Sequence, residues 1–100
     1  VRAAGDLETS ADMLSCGEAS APALKTLREY GALCMTVSEA ELSHSVTILE
    51  TRQGIITTSS GAAGLAALSV AAADPVRRKE LALTEDSRVL VLITEARPTP

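Results

Sequence analysis

The hydrophobic positions of this chain fall into helical stripes and short continuous runs, separated by residues that favour turns. Leu24, Leu27 and Tyr30 recur at the spacing of one helix face. Ser20 precedes them as a plausible N-cap, and Gly31 follows where a left-handed glycine commonly ends a helix. This pattern predicts a short amphipathic helix between Ser20 and Gly31.

A second helix is predicted to begin after Ser38. Ser38 and Glu41 have the spacing of a capping box, in which each side chain satisfies a free backbone N–H of the first turn. An apolar stripe at i, i+4 and i+7 follows, formed by Leu42, Val46 and Leu49. We expect the helix to end near Arg52, with Gly54 just beyond it.

The segment from 59 to 64 is rich in serine and glycine, and we interpret it as a turn that leads into a helix. That helix, residues 65–73, is small and apolar on every side, which is typical of an interior position. Asp74 and Pro75 are predicted to end it and to start a charged helix over 76–83.

Three short apolar runs remain, at 32–37, 55–58 and 88–93, and each is predicted to be a strand. Alternation of these strands with the helices predicts an α/β fold, a parallel sheet with flanking helices. Three strands alone would leave apolar edges and faces uncovered, so the pattern implies further strands and helices outside this chain.

Composition strengthens the expectation of an incomplete unit. The 100 residues include no Phe or Trp and one aromatic residue, Tyr30, while alanine carries much of the 46% hydrophobic content. Alanine contributes little buried area, so an independent core would be weak. The chain also begins with Val1, as an excised piece would. We divide it into a loop or frayed segment at 1–12, a partial α/β domain at 13–96 and a tail at 97–100.

The net charge of −4 argues against a nucleic-acid partner, because phosphate binding requires clustered basic residues. The one basic cluster, residues 77–79, is best interpreted as a solvated helix face. The longest small-apolar stretch, residues 62–73, is too short to span a membrane, so we expect no membrane partner. Cys16 and Cys34 form neither a disulfide framework nor a zinc motif, which favours reduced thiols and a cytoplasmic location.

No residue of this chain stands out as catalytic or as a metal ligand. His44 is the only histidine and lies within a predicted helix, where an ordinary polar position is favoured over a base. Lys25 and Lys79 lie on charged helix faces, without the desolvation that would activate an amine. For the serine- and glycine-rich segment, spacing favours tight helix packing over ligand contact. Thr94 follows an apolar run, at a position where a hydroxyl could meet a cofactor ring nitrogen.

Taken in order, four stretches resemble the C-terminal third of the diaminopropionate ammonia-lyase family. That family belongs to the tryptophan-synthase-β-like, fold-type II group of pyridoxal 5'-phosphate (PLP) enzymes. The stretches are Ser-Cys-Gly-Glu-Ala-Ser at 15–20, Thr-Val-Ser-Glu-Ala-Glu at 36–41, Ser-Gly-Ala-Ala-Gly-Leu-Ala-Ala-Leu at 60–68 and Ser-Arg-Val-Leu-Val-Leu-Ile-Thr-Glu at 87–95. The resemblance covers roughly residues 13 to 96.

The resemblance implies part of a fold-type II large domain, and a parent enzyme that converts 2,3-diaminopropionate or a related amino acid to pyruvate and ammonia with PLP. It implies that Thr94 lies near the pyridine nitrogen and that Ser60 and Gly61 lie close to the ring. The family's Schiff-base lysine and phosphate loop precede the resembled region, so this chain alone is expected to bind no cofactor. Its implied partners are an N-terminal segment or companion subunit and further copies in a homo-oligomer. The alternative is a non-catalytic α/β interaction module derived from the same scaffold.

Three positions depart from the family pattern. Thr58 and Ser59 stand where the family often has a Glu, and Ala96 replaces the glycine that usually follows Thr-Glu. The Met-Ala-Gly-Leu run usual before Cys-Gly-Glu is reduced to Met13 and Leu14.

Overall fold

The computed structural model describes residues 5–97, and its regular structure there is helical. The elements are a 3₁₀ turn at Asp12–Leu14, α1 at Ala21–Glu29, α2 at Glu39–Gln53, α3 at Ser59–Ala73 and α4 at Pro75–Glu80. The ends of the predicted loop (1–4) and of the predicted tail (98–100) lie outside the described residues.

Helix α2 has the boundaries that its capping residues predict. The Glu41 N–H donates to the Ser38 hydroxyl at 3.1 Å, and the Ser38 N–H donates to the Glu41 carboxylate at 2.7 Å. Gly54 ends the helix with a φ of +66°, in the left-handed region that favours glycine. Both ends of α2 are therefore fixed by local sequence, and the prediction is confirmed.

The prediction of helix α1 is also confirmed, but the apolar face of this helix is not buried. The Ala23 N–H donates to the Ser20 hydroxyl at 3.4 Å, and Gly31 has a φ of +65°. No residue of α1 is buried, and Leu24 and Leu27 are both exposed. The periodicity correctly predicts a helix, whereas burial of its stripe requires an element that residues 5–97 do not provide.

Helix α3 begins earlier than the glycines suggest. Ser59 is its first residue and Thr58 its N-cap, so the predicted turn over 59–64 is wrong and Ser60 and Gly61 lie in the first helical turn. The Thr58 hydroxyl accepts the Gly61 N–H at 3.2 Å, which favours the helical conformation in spite of the glycines.

Helix α4 starts as predicted and ends sooner. The Asp74 carboxylate accepts the Val76 N–H at 2.9 Å, and Pro75 occupies the first turn. The helix ends at Glu80 instead of residue 83, because Ala82 adopts a positive φ of +53° that a right-handed helix cannot include.

The predicted α/β fold with a parallel sheet is wrong. Among the described residues, the runs at 32–37, 55–58 and 88–93 form no strand, and the one bridge recorded joins Thr57 to Ala96 in antiparallel register. An apolar run indicates a preference for burial and extension, whereas a strand exists only when a neighbour supplies ladder hydrogen bonds. Here the runs do not pair with one another.

The packed centre is the pair α2 and α3. The first two turns of α2 lie against the second half of α3, so the two helices run in opposite directions. Leu42 packs there with Ala66 and with Ala11 from the N-terminal segment, and Val37 and Ala63 lie against this cluster. Small side chains dominate the contact, so the core buries little apolar area.

The chain as a whole exposes more surface than its mass requires. Its accessible area is 7814 Å² at 10.3 kDa, against roughly 5,400 Å² for a compact monomer of that mass. Its radius of gyration is 14.6 Å, against about 13 Å for a compact domain of 100 residues. Leu90 is 85% exposed, Leu92 69% and Leu33 66%, so large aliphatic side chains contribute to this exposed surface. No helix in residues 5–97 has the length and apolarity needed to cross a membrane.

Candidate functional site

Two distant stretches of sequence meet at the N-terminal end of α3. Thr57 is 1% exposed, and its hydroxyl donates to the Glu95 carbonyl oxygen at 2.5 Å across 38 residues of sequence. The Thr58 hydroxyl donates to the Glu95 carboxylate. We call Thr57, Thr58, Ser60, Gly61 and Glu95 the Thr–Glu junction. It fixes the end of the 88–95 segment against the start of α3.

The backbone at Gly61 approaches the junction too closely for any other residue. A β-carbon at this position would overlap the Thr57 hydroxyl and would lie 3.0 Å from the Glu95 carbonyl oxygen. Gly64, one turn later, has ordinary spacing, with its nearest neighbour atom on Val91 at 3.4 Å. Glycine at 61 is therefore required by packing within the chain, whatever the junction binds.

Ser60 is the one group of the junction whose hydrogen bonding is incomplete. The residue is 6% exposed, and its buried hydroxyl has no hydrogen-bond partner among the described residues. A buried polar group left unpaired costs about 1–3 kcal/mol, so most such groups in folded proteins have a partner.

Thr94 lies beside the junction but faces a different space. It is exposed and lines an open groove of about 380 Å³ together with Ile55, Ile56, Ile93, Ala96 and Glu95, the one junction residue that this groove includes. Ser60 and Gly61 do not line that groove. The three residues implied by the resemblance are thus neighbours through Glu95, yet the groove that Thr94 lines contains neither of the other two.

Arg97 completes the attachment of this segment. Its N–H donates to the Ile56 carbonyl at 3.4 Å, and its guanidinium forms an ion pair with Glu50 at 3.3 Å. Sequence reasoning missed Arg97, which was assigned to the tail, and gave Thr57 no role beyond a β-prone run. A threonine directly ahead of a helix is a signal that could have indicated the N-cap at Thr58, whereas no local signal indicates the bonds to Glu95.

The described residues do not by themselves fit a PLP cofactor. Lys25 and Lys79, the only lysines of the chain, are exposed on α1 and α4, and neither belongs to the junction or to the Thr94 groove. The Lys25 ammonium lies 4.0 Å from the Glu29 carboxylate in a solvated pair. A second polypeptide segment could contact the unpaired Ser60 hydroxyl and the exposed Thr94 hydroxyl. The described residues supply neither the amine nor the phosphate-binding loop that PLP requires.

His44 lies in a second groove, of about 300 Å³, between α2 and α3. Three alanines and Val70 supply the apolar part of its lining, and Ser45 and Ser69 also line it. Glu41, another lining residue, serves the capping box. His44 itself is exposed, as an ordinary polar helix residue is. Residues 5–97 contain no group of three or more His, Cys, Asp or Glu side chains placed to hold a metal ion. Cys16 and Cys34 are both free and exposed.

No family model, no curated protein and no solved structure matches this chain. Its own residues and the resemblance of its motifs are therefore what bear on its function.

Proposed function

We propose that this chain is the C-terminal part of a PLP-dependent ammonia-lyase, inactive alone and completed by a second polypeptide segment. The observation that carries the proposal is the Thr–Glu junction. The resemblance assigns Ser60, Gly61 and Thr94 to the cofactor wall. These residues lie beside Thr58 and Glu95, which are 37 positions apart in sequence and hydrogen-bonded to each other.

The polar groups left over at this place also support the proposal. Ser60 has a buried hydroxyl without a partner, and Thr94 presents an exposed hydroxyl beside Glu95. By the resemblance, Thr94 would hold the pyridine nitrogen and the backbone at Ser60 and Gly61 would border the ring, once a companion segment completes the pocket. The Schiff-base lysine and the phosphate cradle come from the companion segment, because neither lysine of this chain is near. PLP would supply the electron sink for eliminating ammonia from 2,3-diaminopropionate or a related amino acid.

The uncovered apolar surface supports a partner of this kind. Leu33, Leu90 and Leu92 lie on two extended segments that flank α3 and are mostly exposed. Covering them would bury apolar area worth about 25 cal/mol per Å². The proposed enzyme is a homo-oligomer in the cytoplasm, where the exposed Cys16 and Cys34 stay reduced.

Complementation tests this function directly. A diaminopropionate ammonia-lyase truncated to lack its C-terminal third, but retaining its lysine, is mixed with this chain and titrated with PLP. We expect the Schiff-base absorbance and pyruvate release from 2,3-diaminopropionate only when both parts are present.

The variants Thr94→Ala and Thr94→Ser measure the contribution of the Thr94 hydroxyl to PLP binding in the same mixture. Loss of the hydroxyl should weaken PLP binding by roughly tenfold, because one hydrogen bond to the ring is removed, and serine should restore it. Thr47→Ala on the exposed face of α2, where the hydroxyl donates only to the Ser43 carbonyl, is the matched control and should change nothing. Equal binding by Thr94→Ala and Thr47→Ala would contradict the assigned role.

The exposed apolar segments also favour a second candidate, a non-catalytic interaction module. A complex that forms with the truncated lyase but gives no PLP absorbance would support this candidate over the enzyme.

A further inference from the structure

A cleft of about 530 Å³ lies between the two extended apolar segments. Helix α3 contributes Gly64, Ala67, Leu68 and Ala71 to its floor. Met35, Leu81 and Leu83 line one side, and the segment 89–92 lines the other. The cleft is open to solvent and almost wholly apolar.

Both walls of this cleft carry backbone groups without partners. Among the described residues, no backbone hydrogen bond involves the N–H or C=O groups of 33–37 or of 89–93. Extended segments with free N–H and C=O groups are templates for pairing with another chain. The cleft therefore has apolar character along its floor and main-chain hydrogen-bonding capacity along its sides.

An apolar floor together with unpaired backbone groups along the sides favours one kind of ligand over others. A helix satisfies its own backbone hydrogen bonds and would leave the walls unpaired once water is excluded. A small apolar molecule would fill the volume and would bury the same N–H and C=O groups at a cost. An extended peptide satisfies both requirements, because its backbone pairs with the walls and its alternate side chains meet the floor.

We propose that an extended, uncharged aliphatic segment of a partner polypeptide lies in this cleft and pairs through main-chain hydrogen bonds with residues 89–93. The proposal uses only the cleft and its unpaired walls. The lyase proposal rests on the Thr–Glu junction, although its companion segment would cover some of the same apolar side chains. The peptide titration involves no PLP, so either proposal can fail while the other holds.

The probe is the synthetic peptide acetyl-Lys-Val-Ile-Val-Ile-Val-Lys-amide, titrated into the full chain. We expect binding that slows amide hydrogen exchange at residues 89–93. The same peptide with N-methyl groups at alternate residues keeps its apolar side chains and loses donors, so it should bind roughly tenfold more weakly or worse.

Two substitutions on the protein locate the site. Leu90→Lys places a charge at the cleft wall and should weaken binding of the unmodified peptide by about tenfold or more, since that charge would have to be buried. Tyr30→Lys is the matched control, because Tyr30 and Leu90 are each 85% exposed while Tyr30 does not line the cleft. It should leave binding unchanged, and neither substitution removes a buried contact.

Three results would overturn the proposal. The first is equal binding of the methylated and unmethylated peptides, which would show apolar filling without strand pairing. The second is no binding of the unmodified peptide. The third is self-association of the chain that protects residues 89–93 without any peptide, because a second copy would then occupy the cleft.

Discussion

Two glycines in α3, one turn apart, differ in what surrounds them. Gly61 faces the Thr57 hydroxyl and the Glu95 carbonyl, whereas Gly64 faces Val91 at ordinary contact distance. Neither has a positive φ, so both substitutions are decided by space and helix propensity alone.

Gly61→Ala should destabilise the chain by roughly 1–3 kcal/mol, because the added methyl group forces the Thr–Glu junction apart. Gly64→Ala should instead stabilise it by up to about 1 kcal/mol, since alanine is the better helix former. Urea denaturation of the two variants and the wild-type chain measures both effects. A similar change in both variants would mean that the junction does not close as described.

At the scale of single residues, the capping positions were the part of the fold most readily predicted from the sequence. Ser38 with Glu41, and Gly54, act over one turn of chain, so their sequence spacing contains the required geometry. The bonds from Thr57 and Thr58 to Glu95 were not predictable, because they join residues 38 and 37 positions apart. No local pattern specifies which carbonyl or carboxylate a threonine will meet.

At the scale of elements, the N-terminal segment is attached to the start of α2. The N–H and hydroxyl of Ser10 both donate to the Glu39 carboxylate, at 2.9 and 2.6 Å. The Ser10 hydroxyl, aided by Thr9 and the Ser10 N–H, holds the pKa of Glu39 below its ordinary value. Hydrogen bonds to the charged form cause this direction of shift.

The attachment should therefore weaken in acid. Because the folded-state pKa is depressed, its stabilising contribution is complete above the unfolded pKa, about 4.3 for glutamate, and disappears as the pH falls through the lower folded value. Glu39→Ala should be less stable than the wild-type chain at neutral pH, and the difference should vanish below that folded value. Thermal unfolding across this pH range measures it.

Glu85→Ala, on an exposed turn, provides the control for general charge effects. If it reproduced the pH dependence of Glu39→Ala, the attachment of Ser10 to Glu39 would not be the cause.

Helices were predicted far better than strands for a physical reason. A helix satisfies its backbone within one segment, so periodicity and caps suffice to place α1, α2 and α4 and the body of α3. The run at 88–93 has strong β character, but its pairing depends on a neighbour that residues 5–97 do not provide. The resemblance predicted three site residues, Thr94, Ser60 and Gly61. The hydrogen bonds from Thr57 and Thr58 to Glu95, which bring their two stretches together, appeared only in the structure.

At the scale of the whole molecule, small residues make up most of the core, and many of the large aliphatic side chains are exposed. The α2–α3 pair is closed mainly by small residues with Val37 packed against it, while Leu33, Leu90 and Leu92 remain exposed. An accessible area of 7814 Å² exceeds the compact expectation for 10.3 kDa. The chain therefore has a packed helical centre and two exposed apolar segments whose backbone groups have no partner among residues 5–97.

Amide hydrogen exchange on the isolated chain tests this description most directly. The backbone N–H groups of α2 and α3 should exchange slowly, because they are hydrogen-bonded in a packed helix pair, and those of 33–37 and 89–93 should exchange at nearly unprotected rates. Protection of both extended segments equal to that of α2 would show that they are already paired, and would contradict the account.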